Sequence, residues 1–222
     1  RQEHPKRRHF LTRRLIAAGC LAGCLAAGLM AGPAAAAEVD SSAAAEGPKQ
    51  LSYGLHFIKA RDYARAIVHL TAAIQARTLE PERLSDAYYF RGRALVRTQR
   101  PELALADFTQ ALVHWPGNVK VLRVRCRALT LKGDLPDALV DCDRAVELAP
   151  EDWRGWFTRG LLREARSERN LALVDFTASQ ARMPKGLETF PSVARQLKAY
   201  GLLADDAGAE DSAHPLPVWQ EE

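Results

Sequence analysis

YFRGRALVRTQRPELALADFTQALVHWP, residues 89–116, is followed by RVRCRALTLKGDLPDALVDCDRAVELAP at 123–150 and FTRGLLREARSERNLALVDFTASQARMP at 157–184. The three stretches align without a gap and at one constant interval: Gly92, Ala104, Phe108, Ala111 and Pro116 recur as Cys126, Ala138, Cys142, Ala145 and Pro150, then as Gly160, Ala172, Phe176, Ser179 and Pro184. A fixed period of this length marks an array whose units bury their apolar faces only on their neighbours. Small residues at these positions let two helices of a unit approach closely, and the aromatic fills the space beside them. An earlier copy is visible in Gly54, Phe57, Ala66, Leu70 and Ala73, and it reaches the next unit four residues late through Thr78-Leu79-Glu80-Pro81.

Local signals agree with helical hairpins. Pro101 falls where a second helix begins and where its missing N–H costs nothing. Asn118, Asp134 and Asp152 stand where a side-chain oxygen would cap a helix start. Pro116, Pro150 and Pro184 stop the second helices.

The order of glycine, small residue, aromatic, small residue and proline at these intervals resembles the tetratricopeptide repeat, a helix-turn-helix unit. The resemblance covers residues 47–184. It implies an all-α fold, a right-handed superhelical solenoid of about four repeats at 47–84, 85–118, 119–152 and 153–184. A linker is expected at 38–46. A capping helix is expected within 185–203, where Val193, Leu197, Tyr200 and Leu203 form an apolar stripe able to cover the open end. Residues 204–222 carry six acidic residues, no Lys or Arg, and Gly208, Pro215 and Pro217 as breakers, a composition expected of a disordered acidic tail.

Residues 1–37 have the zones of an export signal: a basic stretch from Arg1 to Arg14, an uncharged run from Leu15 to Gly32, and Ala35 and Ala37 as an A-x-A cleavage pair. Removal and retention as an anchor are both compatible with the length of the run. Arg7-Arg8-His9-Phe10-Leu11 resembles the twin-arginine motif, while Arg13 and Arg14 also fit the general secretory route. Leu21-Ala22-Gly23-Cys24 resembles a lipobox that would acylate Cys24, although the apolar run continues past it. The expected location is the bacterial periplasm, with membrane attachment only if the signal is retained or lipidated.

The signal also decides the charge. Of 31 basic and 27 acidic residues it holds six and one, leaving 25 and 26 and a net charge of about −1. The whole-chain pI near 9.0 therefore comes from the signal and gives no reason to expect nucleic acid as a partner.

Arg91, Arg125 and Arg159 on first helices, with Asp107, Asp141 and Asp175 on second helices, repeat with the array and suggest a structural ladder of ion pairs. In the tetratricopeptide family the first helices line a concave groove that takes peptides. Carried over by repeat phase, the groove residues are Tyr89, Arg93, Arg97, Lys120, Arg123, Arg127, Arg154 and Phe157. Six cations with two aromatics fit a protein or peptide partner that is acidic or presents a free C-terminus. The family's carboxylate-clamp subgroup uses groove asparagines, and neither Asn118 nor Asn170 matches them. A merely solvated helix face is the competing reading of these cations.

Cys126 and Cys142 take the glycine and aromatic positions of one unit, which the resemblance places on facing helices. A disulfide and two buried thiols both fit. His56, His69, His114 and His214 have no metal-ligand spacing, and no phosphate loop or nucleophile elbow is present. Trp115, Trp153 and Trp156 sit at unit junctions, where large rings cover core. Neither catalysis, a metal nor a cofactor is expected. The expected function is a protein-interaction module serving as adaptor or assembly factor. The alternative is a lipid-anchored envelope lipoprotein with a structural role in outer-membrane or cell-wall assembly.

Overall fold

A computed structural model of the chain describes residues 33–186 and 191–203, with side chains from residue 44 onward. Secondary structure among these residues is entirely helical: α1 (Pro33–Lys59), α2 (Tyr63–Gln75), α3 (Pro81–Arg97), α4 (Pro101–His114), α5 (Val119–Lys132), α6 (Leu135–Leu148), α7 (Trp153–Ala165), α8 (Arg169–Arg182) and α9 (Pro191–Ala199). The first eight pair in chain order into four hairpins, and each second helix also packs on the first helix of the next hairpin. This is the stacked solenoid that the period implies. No helix among the described residues is long and apolar enough to cross a membrane.

Close approach explains the glycines of the period. A Cβ added at Gly92 would lie 2.6 Å from Cε1 of Phe108, and one at Gly160 would lie 2.6 Å from Cε1 of Phe176. Each ring is fully buried against the glycine of its partner helix. The α5/α6 hairpin solves the same contact differently: Cys126 and Cys142 have Cα atoms 5.5 Å apart and Sγ atoms at the bonded distance of 2.00 Å.

Each hairpin turns at the same place. Arg61, Gln99, Gly133 and Ser167 all have positive φ, between 58° and 89°. The following N–H reaches five residues back, Asp62 to Phe57, Arg100 to Leu95, Asp134 to Leu129 and Glu168 to Arg163, at 2.8–2.9 Å. This is the Schellman closure, which satisfies otherwise orphaned carbonyls and favours glycine at its left-handed residue. Of these four turns, only the one at Gly133 meets that preference.

Three local expectations need correction. Residues 38–46 are not a linker: α1 starts at Pro33 and continues through them and through Pro48, as the high helix propensity of an alanine-rich stretch allows. Asp134 occupies the N-cap position of α6, but its side chain accepts no capping hydrogen bond; Asn118 and Asp152 do cap, accepting from Val121 and Arg154 N–H, and Asp62 is a further cap, accepting from Arg65. The terminal helix occupies only Pro191–Ala199 within the expected 185–203. Its Val193 and Leu197 are buried with Phe157, Ala172 and Phe176, and Tyr200 and Leu203 pack against this cluster, so it covers the α7/α8 hairpin. The basic, apolar and lipobox segments of the expected export signal, including Cys24, and the acidic segment 204–222 lie outside the described residues.

Candidate functional site

The arginines fall into two sets, two residues apart in sequence and therefore about 200° apart around a helix. Arg91, Arg125 and Arg159 turn towards the second helices. Each donates through Nε and Nη2 to both carboxylate oxygens of an aspartate sixteen residues on: Arg91 to Asp107 at 2.8 and 2.7 Å, Arg125 to Asp141 at 2.6 and 2.7 Å, and Arg159 to Asp175 at 3.0 and 2.8 Å. The paired fork fixes the angle between the helices as well as their separation. Hydrogen bonding to Asp107 raises the Arg91 pKa above its ordinary value, with burial opposing, and Asp141 does the same for Arg125.

Two rungs also tie neighbouring hairpins. Arg91 Nη1 donates to Thr71 Oγ1 at 3.2 Å, and Arg159 Nη1 donates to Asp143 Oδ1 at 2.8 Å. Arg163 adds a second cation to Asp175 at 2.8 Å. In the first hairpin the rung has other chemistry: Tyr53 and His69 stand at the Arg and Asp positions with ring centroids 5.5 Å apart, and His69 Nδ1 lies 2.7 Å from Gln50 Oε1.

The second set belongs to the face of the first helices and reads as three columns of the repeat. Asp86, Lys120 and Arg154 form one column, Tyr89, Arg123 and Phe157 the next, and Arg93, Arg127 and Leu161 the third. The middle column is the floor. Tyr89 and Phe157 are 3% and 4% exposed, inside the clusters around Phe108 and Phe176 respectively. Expected as aromatics beside the cations, they are instead core, because the column points between the hairpins where water is excluded. Arg123 occupies the same column at 7% exposure, a guanidinium where the flanking repeats place a ring.

The outer columns are more open. Arg93 lies over the Tyr89 ring at 5.5 Å, and Arg97 over Tyr63 at 5.6 Å. Lys120 and Arg154 are exposed; Arg154 lies over Trp153 at 5.1 Å and pairs with Asp152 at 3.3 Å. Asp86 was not among the expected groove residues, although its position one full repeat before Lys120 puts it in their column. Burial raises its pKa, while Lys120 and Arg83 pull the other way. The face thus holds Arg93, Arg97, Lys120, Arg123, Arg127 and Arg154 with Asp86 as the acid of its columns, an arrangement able to fix an anionic extended chain but containing no nucleophile paired with a base.

A depression of about 1420 Å³ lies elsewhere, around α4 between Tyr88 and Leu131. It contains none of the expected groove residues, and its Arg91 and Asp107 are already joined in a rung. No group of His, Cys, Asp or Glu among the described residues could hold a metal ion. Trp156 at the α6–α7 junction donates from Nε1 to Pro150 O at 2.8 Å and is flanked by Arg159 and Arg182 at 4.9 and 5.0 Å, a packing role.

The family model of the tetratricopeptide repeat matches residues 51–119 and 89–152. Over residues 51–152 the chain is thus similar to tetratricopeptide repeats. The hairpins on either side continue the same stacking. Three solved structures with the same architecture are YrrB, described as a TPR protein with an unusual peptide-binding site (TM-score 0.58, 18% identity, 75% of this chain and 87% of that one), PilF of Pseudomonas aeruginosa (0.59, 20%, 72% and 69%), and MamA (0.56, 16%, 66% and 83%). At these identities the likeness speaks to the fold alone. No curated protein matches the chain in sequence.

Proposed function

We propose that the face formed by α3, α5 and α7 is a groove for an acidic peptide segment of a protein partner, and that the protein works as an exported adaptor or assembly factor in the bacterial envelope. The observation that carries this reading is the pair of outer columns: cations of successive repeats run along both sides of a floor that encloses Arg123. Charge-assisted hydrogen bonds from Arg93, Arg127 and Lys120 would then fix the register of the bound chain. The description of YrrB as having a peptide-binding site is in keeping with such a use of the fold.

Export rests on the sequence of residues 1–37, and a bonded Cys126–Cys142 pair is the state an oxidising envelope favours. Acylation of Cys24 would put the same groove at a membrane surface without changing its chemistry. Fluorescence anisotropy with a labelled Glu-rich peptide tests the groove. The peptide is expected to bind at low ionic strength and to weaken as salt screens the exposed cations; equal binding of a Lys-rich peptide of the same length would refute the reading.

A further inference from the structure

We infer that the groove is occupied by the chain's own acidic segment, Ala204–Glu222, folded back in cis as a competitor of the external partner. This rests on the groove reading above. The first argument is charge: the segment carries Asp205, Asp206, Glu210, Asp211, Glu221 and Glu222 and no Lys or Arg, opposite a face whose columns hold five cations, with Arg97 beyond them.

The second argument is where the segment departs. Gln180 Nε2 on α8 donates to Leu202 O at 2.6 Å, and Leu203 packs in the cluster that also contains the floor residue Phe157. The chain therefore leaves the described solenoid at its last hairpin, α7/α8, the end of the array to which Phe157 belongs. Reaching α3 means crossing about three helix spacings of roughly 10 Å each. Nineteen residues can extend roughly 3.3 Å apiece, about twice that distance. A tether this short holds its acids at an effective concentration on the order of millimolar, so even weak intrinsic affinity suffices for occupancy. A partner must then outcompete the segment, and its apparent affinity falls by the fraction of grooves left open.

The test uses the full chain and a fluorescein-labelled peptide copying residues 204–222. In a full-length variant with all six acids neutralised (Asp205→Asn, Asp206→Asn, Glu210→Gln, Asp211→Asn, Glu221→Gln, Glu222→Gln), the peptide is expected to bind about tenfold or more tightly than in the unaltered protein. Adding Arg93→Glu and Arg127→Glu to that variant should remove the gain. Equal affinities for the unaltered and neutralised chains would overturn the inference. If neither binds this peptide while both bind the Glu-rich one, the groove stands and its internal occupant does not; if neither peptide binds, both readings fall. As a second readout on the unaltered protein, carbodiimide coupling should join Lys120 to an acid of 204–222 within the monomer, and such links confined to a dimer fraction would contradict occupancy in cis.

Discussion

Arg91 and Arg93 share one helix and have different tasks. Arg91 is spoken for: Asp107 accepts from two of its nitrogens and Thr71 accepts from a third. Arg93 lies on the other side, over Tyr89 at the edge of the groove. The same division recurs at Arg125 and Arg127. It ends at the fourth hairpin, where Arg159 keeps the rung but the groove position is Leu161. The ladder recurs in the α3/α4, α5/α6 and α7/α8 hairpins, where it joins the two helices of each, whereas the columns of the proposed groove change from repeat to repeat. Regularity along the array separates the structural charges from those of the proposed groove.

Substitutions that attack the ladder should cost stability and leave the groove's chemistry intact. The largest effect is expected at Asp175, which is fully buried between Arg159 and Arg163. Asp175→Ala leaves two enclosed guanidinium groups without their shared anion and should cost about 3–5 kcal/mol in urea unfolding; a loss below about 1 kcal/mol would show that water replaces the carboxylate. Next comes reduction of Cys126–Cys142, whose closed loop is of a length worth about 3 kcal/mol. Alkylation with and without reductant reports its state: a mass gain of two alkyl groups only after reduction is expected, and the same gain in unreduced exported protein would contradict the bridge.

A smaller change should come from the turns. Gln99→Gly places glycine at a left-handed position, φ 60°, that Gly133 already fills in the next hairpin, and should stabilise by about 1 kcal/mol. Thermal unfolding of the pair Gln99→Gly and Ser167→Gly would check both turns together. The smallest effect is expected in the groove. Asp86→Asn removes the acid from the columns and should tighten an acidic peptide about threefold, a change of less than about 1 kcal/mol. The pKa of Asp86 is raised by burial, so its ionised form is disfavoured in the folded state. Stability contributed by the protonated group is lost as pH rises through the window between the ordinary and the raised value. Asp86→Asn should flatten that part of the stability profile, and an unchanged slope would count against a desolvated Asp86.

How much of this was legible in the sequence depended on whether a feature obeyed the period. Hairpin order, the proline stops and the three Arg–Asp rungs all follow from positions one repeat apart. The first rung did not, because Tyr53 and His69 replace both charges and the step from Gly54 to Gly92 is longer than the step from Gly92 to Cys126. The span of α1 differs from expectation for another reason: alanine-rich sequence reads equally as a processed leader or as helix. Within the groove, repeat phase identified the columns but not their depth. Tyr89 and Phe157 look like ligand-packing aromatics until Phe108 and Phe176 are seen to draw them into the core. Asp86 is legible by phase alone, one repeat before Lys120, but its charge is opposite to that of the expected set.

The division between ladder and groove is tested most directly by one matched comparison of Arg93→Glu plus Arg127→Glu with the unaltered chain, measuring binding of a labelled Glu-rich peptide and unfolding by urea on the same samples. Each reversed charge removes a charge-assisted hydrogen bond of about 1.5–3 kcal/mol, so affinity should fall by more than about a hundredfold while urea unfolding remains cooperative. Unaltered affinity in a variant that remains fully folded would contradict the assignment of this face as the binding groove.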